Sequence, residues 1–126
     1  MKPISKIAVD IQESRTSSRE QTEIALSNIK DESGEGQRAF IKVNEEAALA
    51  AADAQDTLRK AGITVSPIAG LPFSVKDLFD IAGEVTTAGS TILKSAPPAE
   101  KDATSVARLR AAGAVVVGRT NMTEFA

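Results

Sequence analysis

Gly70-Leu71-Pro72-Phe73-Ser74-Val75-Lys76-Asp77-Leu78-Phe79-Asp80-Ile81-Ala82-Gly83-Glu84-Val85-Thr86-Thr87-Ala88-Gly89-Ser90 is the stretch on which the reading of this 126-residue chain turns. It opens with Gly and Pro, passes through an apolar run carrying one lysine, and empties into a loop rich in Gly, Thr and Ser. Between Phe73 and Asp77 the residues alternate with the period of a strand. Phe73, Val75 and Asp77 are therefore expected on one face, Ser74 and Lys76 on the other. A lysine near a strand end, just ahead of a hydroxyl-rich loop, stands where α/β proteins commonly build active sites. The plainer reading is a solvated lysine or an edge guard against aggregation. A single titratable residue does not decide between the two.

Downstream, Ala96-Pro97-Pro98-Ala99 can continue neither a helix nor a sheet ladder. Asp102 is the expected cap of a helix over Ala103 to Ala112, with Val106 and Leu109 inward, Arg108 and Arg110 toward its C-terminal end, and Gly113 as its stop. Ala114 to Val117 is wholly apolar and partly β-branched, the composition of a strand covered on both faces. Phe73 to Gly118 thus reads as a βαβ unit, expected to be right-handed. Thr120 to Ala126 reads as the start of a further helix, capped by Thr120 or Asn121.

Upstream, Ile4, Ile7, Ala8 and Ile11 follow helical spacing, with Pro3 suited to the first turn, and predict a helix over about Pro3 to Glu13. Ser17 and Glu20 form a capping-box pattern that opens a second helix reaching about Lys30. Asp31 to Gln37 reads as a loop and Ala39 to Val43 as a short strand. Asn44 is the expected cap of a helix from Glu45 to Ala61, which Gly62 ends. Its stripe of Ala47, Ala51, Ala54 and Leu58 is expected to pack in the core. Three short strands, one needing cover on both faces, fall short of the usual ~4–6 of a sheet. The chain is therefore expected to be a portion of one larger α/β domain, with residues 1–37 as a helical N-terminal segment and residues 38–126 as the motif-bearing part.

Composition narrows the chemistry. Hydrophobic residues make up 42% and charged residues 25% of the chain, as in ordinary folded proteins. A net charge of −2, with no basic cluster, argues against a nucleic-acid or anionic-membrane surface. Four Phe and no Trp or Tyr leave little on which bases could stack. Without Cys there is no thiolate zinc site and no cysteine nucleophile, which favours a cytoplasmic location. Without His, a general base at neutral pH must be a carboxylate or a neutral lysine. No signal-peptide core and no run of ~20 apolar residues is present.

Three motifs in order carry a resemblance: Gly-Leu-Pro-Phe-Ser-Val-Lys-Asp from Gly70, Ala-Gly-Glu-Val-Thr-Thr-Ala-Gly-Ser from Ala82, and Asp-Ala-Thr-Ser-Val-Ala-Arg-Leu-Arg-Ala-Ala-Gly-Ala-Val-Val-Val-Gly-Arg-Thr-Asn-Met-Thr-Glu-Phe-Ala from Asp102. From about Phe40 to Ala126 the sequence resembles the amidase signature family. The resemblance implies the N-terminal portion of that family's α/β fold, helices around a mixed, mostly parallel sheet. It further implies hydrolysis of a small-molecule amide by a nucleophilic serine, a bridging serine with a cis peptide bond, and a lysine, without a cofactor or metal. Lys76 matches the lysine. To accept a proton it must be largely uncharged, a state that burial and nearby positive charge favour. Asp77 would oppose this if close, and alternation sends it to the other face.

Thr86, Thr87, Gly89 and Ser90 match the family's loop after the lysine strand, and Asn121 and Glu124 match a motif near the pocket; each is also explicable as turn or cap chemistry. The family's Gly- and Ser-rich segment with both serines lies beyond the Asn-Met-x-Glu-Phe-Ala motif. None of Ser74, Ser90, Ser95 or Ser105 is nominated as nucleophile, so the chain alone is expected to be inactive. Within the same resemblance, the alternative is the glutamine-hydrolysing subunit of a tRNA-dependent amidotransferase. An alternative of another class is a truncated, non-catalytic assembly module. Homo-oligomers or partner subunits fit these readings.

Overall fold

The computed structural model describes residues 2–126. In chain order the elements are α1 (Ile4–Gln12), α2 (Ser18–Lys30), α3 (Gly36–Ala39), β1 (Phe40–Val43), α4 (Glu45–Lys60), β2 (Pro72–Lys76), a 3₁₀ helix (Thr91–Ser95), α5 (Thr104–Ala111) and β3 (Val115–Thr120). The strands form one mixed sheet in the order β1-β3-β2, β3 running antiparallel to β1 and parallel to β2. β2, α5 and β3 make the expected βαβ unit.

β3 is covered on both sides, as its apolar run requires. Val115 and Val117 pack with Leu26, Ile29, Ala48 and Ala52 of α2 and α4. Val116 packs on the other side with Val75, Ile81 and the α5 residue Val106. Burying each such valine contributes roughly 1.5–3 kcal/mol, so β3 is the strand that joins the two layers. Among the described residues, no helix is long and apolar enough to cross a membrane.

The inward stripe of α4 lies one position on from the expected one. Ala48 and Ala52 are buried, whereas Ala47, Ala51 and Ala54 line a groove toward α5. An alanine-rich helix leaves its apolar phase poorly specified. Polar contacts set it here, because Asp56 and Arg59 continue the Ala48 and Ala52 face and dock on α2. The Asp56 carboxylate accepts the Ser18 N–H at 2.8 Å and the Arg19 N–H at 3.0 Å, and it pairs with Arg59 at 2.8 Å. The Ser17 hydroxyl takes the Glu20 N–H, as the capping box predicts. Together Ser17 and Asp56 satisfy three of the free N–H groups of the first turn of α2.

Other expectations are corrected by distant partners. Asn44 makes no side-chain cap and donates to Glu84 at 2.9 Å. Asp102 is not the cap of α5. Its carboxylate accepts from the Ala82 N–H at 2.8 Å and pairs with Arg110 at 2.9 Å. A single turn, α3, forms at the end of the expected loop. β3 continues through Gly118 and Arg119 to Thr120. After it no helix begins; the chain bends, and the Phe125 N–H reaches the Ala88 carbonyl at 2.9 Å.

One irregularity in β3 proves decisive for the site. Phe73 pairs with Val116, but Ser74 pairs with Gly118, so the ladder skips Val117. This is a β-bulge, and it reverses the facing of every later residue relative to strict alternation. Glycine is needed there: a Cβ on Gly118 would lie 2.4 Å from the Lys42 carbonyl oxygen of β1.

Candidate functional site

Alternation along β2 places the expected residues as predicted. Val75 and Asp77 are buried, and Ser74 and Lys76 are exposed. Lys76 ends β2 in register with Thr120. Among the described residues its ammonium makes no hydrogen bond or ion pair. Burial, one of the two influences expected to favour a neutral lysine, is not supplied by residues 2–126.

Asp77, on the opposite face, organises the surroundings of Lys76. It is fully buried. Its side chain accepts from the Thr87 hydroxyl, the Thr87 N–H at 3.2 Å, the Gly89 N–H at 3.1 Å and the Arg119 guanidinium at 3.1 Å. Its carbonyl accepts the Ala88 N–H at 2.9 Å, and its own N–H donates to the Thr120 carbonyl at 2.9 Å. Burial pushes the Asp77 carboxyl up, but the Thr87 and Gly89 hydrogen bonds and the Arg119 charge outweigh it and leave it below the ordinary carboxylate value. Gly89 holds φ at +69°, and a Cβ there would sit 2.6 Å from the Met122 carbonyl oxygen. The loop thus needs glycine both for its turn and for its close approach to the C-terminal segment.

Arg119 carries the network across the sheet. It is 2% exposed; besides Asp77 it donates to the Phe79 carbonyl at 3.0 Å and to Glu84 at 3.3 Å. Glu84 in turn pairs with Lys42 of β1 at 2.9 Å. Burial raises the Glu84 carboxyl, but Lys42, Asn44 and Arg119 together bring it below its ordinary value. Two carboxylates and two cations are thereby balanced in one array that runs from the buried Asp77 out to Lys42.

The expected pocket residues fall into two groups. Thr87, Gly89 and Ser90 lie together on the Asp77-anchored loop. Ser90, buried, donates to Glu124 and accepts the Ile92 N–H at the start of the 3₁₀ helix, which draws Glu124 to the same loop. Thr86 sits on the loop but donates outward to Asp80 at 2.7 Å. All three hydroxyls are thus engaged by carboxylates. Asn121 stands apart and exposed, its side chain accepting the Met122 N–H. Arg119 was missed by the sequence reading. Its signal was a lone charge in a strand otherwise built for burial, which obliges a buried counter-charge. A groove of about 690 Å³ elsewhere, between the α1–α2 turn and α4, is lined by none of these residues, and its Arg15, Arg19 and Arg59 are already paired with carboxylates. Among the described residues, no cluster of acidic side chains could hold a metal.

A mixed sheet covered by helices, with an exposed strand-end lysine beside a carboxylate-anchored, hydroxyl-rich loop, defines the class: an α/β protein. Residues 20–126 match the model of the Amidase family. The chain belongs to the amidase family. It is 48% identical over 121 residues to AtzE, the 1-carboxybiuret hydrolase subunit of Pseudomonas sp. (strain ADP), covering 96% of this chain and 26% of that protein. It is 52% identical over 88 residues to a glutamyl-tRNA(Gln) amidotransferase subunit of Rhodopirellula baltica, covering 70% of this chain and 17% of that one. The native peptide amidase of Stenotrophomonas maltophilia superposes with a TM-score of 0.86 at 34% identity, covering 98% of this chain and 25% of that structure. The chain therefore spans about a quarter or less of each relative's length.

Proposed function

We propose that residues 1–126 form the N-terminal portion of a single amidase domain that hydrolyses a small-molecule amide through a Ser-Ser-Lys relay, and that Lys76 is its base. Neutral Lys76 takes the proton that the bridging serine passes on as that serine deprotonates the nucleophile. Backbone N–H groups near the nucleophile stabilise the tetrahedral oxyanion. Thr86, Thr87, Gly89, Ser90 and Glu124 shape the wall of the pocket beside the lysine, and Asn121 its margin. The chain by itself is inactive, because it carries the lysine and neither serine. Cytoplasmic action is part of the same proposal.

The observation that carries this reading is the placement of Lys76: free of ion pairs among the described residues, at a strand end, directly before the loop whose sequence and order match the family. The test is Lys76→Ala in the polypeptide that also bears the two serines. Turnover is expected to fall by roughly 10²–10⁴, the usual worth of a general base, with the circular-dichroism spectrum and melting temperature retained. Near-normal turnover would sink the assignment.

A second reading follows the resemblance to the Rhodopirellula baltica amidotransferase protein. On it the amide is glutamine and the protein works with partner subunits, as the word subunit in two relatives' names suggests for those proteins. Co-purification with partners and dependence of ammonia release on glutamine would decide for it. A non-catalytic assembly module is the remaining alternative; a native polypeptide whose intact mass is 13.2 kDa would favour it.

A further inference from the structure

We propose that Asp77 is the positioning residue of this site: held neutralised by Arg119, its carboxylate fastens the Thr86 to Ser90 loop to the strand end that carries Lys76, while keeping its negative charge away from the lysine. The inference rests on the reading of Lys76 as base and adds to it a requirement the motif does not state. A carboxylate one residue from a base that must shed its proton is an electrostatic liability, since an opposite charge nearby favours the ammonium. Two features remove the liability. Alternation puts Asp77 on the buried face, and the bulge at Val117 and Gly118 brings Arg119 to that same face, in register with Val75, where it donates to Asp77 at 3.1 Å.

The same carboxylate is the mechanical link. Thr87 and Gly89 bind it through two N–H groups and a hydroxyl, and the Asp77 backbone bonds Ala88 on one side and Thr120 on the other. Displacing the loop therefore displaces the residue beside Lys76.

The other charged groups packed around this point are accounted for. Glu84 and Lys42 close the array beyond Arg119. Asp80 accepts from Thr86 and Glu124 from Ser90, and Lys30 and Glu45 pair with each other where α2 meets α4.

The test is the pH profile of kcat/KM in the polypeptide that bears both serines, for the parent and for Asp77→Asn, Glu84→Gln and Thr87→Val, with Lys76→Ala alongside. Asp77→Asn leaves the Arg119 guanidinium without this counter-charge, so the pair is no longer neutral across the strand from the base, and the acid limb should move to lower pH by about half a unit, the scale of a neighbouring unit charge in a partly solvated site. Glu84→Gln, farther along the array, should move it the same way by less, and decides alone if the Asp77 variant does not fold. Thr87→Val loosens the loop without changing charge; kcat should fall and the limb should stay in place. An acid limb unmoved or raised in the foldable charge variant, or moved equally by Thr87→Val, overturns the inference while leaving Lys76 as base. Retained turnover in Lys76→Ala overturns both.

Discussion

Asp56 stitches α4 to the start of α2, and removing it should loosen that helix end in a way that pH can diagnose. Asp56→Ala deletes the acceptor of two first-turn N–H groups, those of Ser18 and Arg19, and one partner of Arg59. Loss of a helix cap costs ~0.5–2 kcal/mol, and these are bonds to a charged acceptor, at the upper end of the range. Arg59 keeps the Ser18 hydroxyl at 3.2 Å and the Ala69 carbonyl at 3.0 Å but loses its carboxylate partner, which keeps the cost at the upper end. A deficit of roughly 2 kcal/mol follows, about a 30-fold loss of hydrogen-exchange protection at the amides of the first turns of α2. Burial raises the Asp56 carboxyl, but the Arg19 and Ser18 N–H groups, the Ser18 hydroxyl and the Arg59 charge bring it below its ordinary value. A carboxyl depressed in the folded state stabilises fully above the unfolded value of ~3.9 and loses that contribution as pH falls through the folded value. The parent-to-variant difference should therefore be constant near neutrality and shrink below about pH 4. Exchange measured at both pH values checks this. A protection loss under about threefold at neutral pH, or a deficit undiminished in acid, would refute the capping argument.

Gly70→Ala should be more damaging than its size suggests. The residue holds φ at +87° and its Cβ would lie 1.9 Å from the Ser18 hydroxyl oxygen; about 3 kcal/mol is expected from the left-handed backbone plus the overlap. Urea unfolding should show part of it recovered when Ser18→Gly is added. Val117→Ala, against Leu26, Ile29, Ala48 and Ala52, should cost roughly 2–3 kcal/mol in the same assay.

What could be read from the sequence is what is settled locally. The Ser17 cap succeeds because its acceptor and donor are three residues apart on one helix. The face of Lys76 succeeds because β2 keeps strict alternation to its end. Asn44 and Asp102 look like caps for the same reason as Ser17, and both are claimed by partners far away in the chain, Glu84 for one and the Ala82 N–H for the other, with Arg110 two turns along α5. The phase of α4 was hidden by its alanines and fixed by Asp56 and Arg59, whose partners lie on α2. In each case a charge or amide is drawn to a distant group rather than to the nearest backbone, and no local spacing encodes that.

Arg119 shows the same limit at the centre of the site. Strict alternation from Val115 and Val117 would set Arg119 on their side of the sheet, the side from which Lys76 also projects, opposite that lysine in the ladder. The bulge leaves Val117 without a partner on β2 and moves Arg119 into register with Val75. A guanidinium that would have stood beside the lysine is turned instead toward Asp77. The apolar half of β3 builds the core and its last three residues meet the end of β2 that carries Lys76 and Asp77, and the skipped position between them decides which charge each face receives. Gly118 makes that position possible, because any side chain there would meet the Lys42 carbonyl. The glycine of the Gly-Arg-Thr run is therefore as much a part of the site's electrostatics as the charged residues that meet across the sheet.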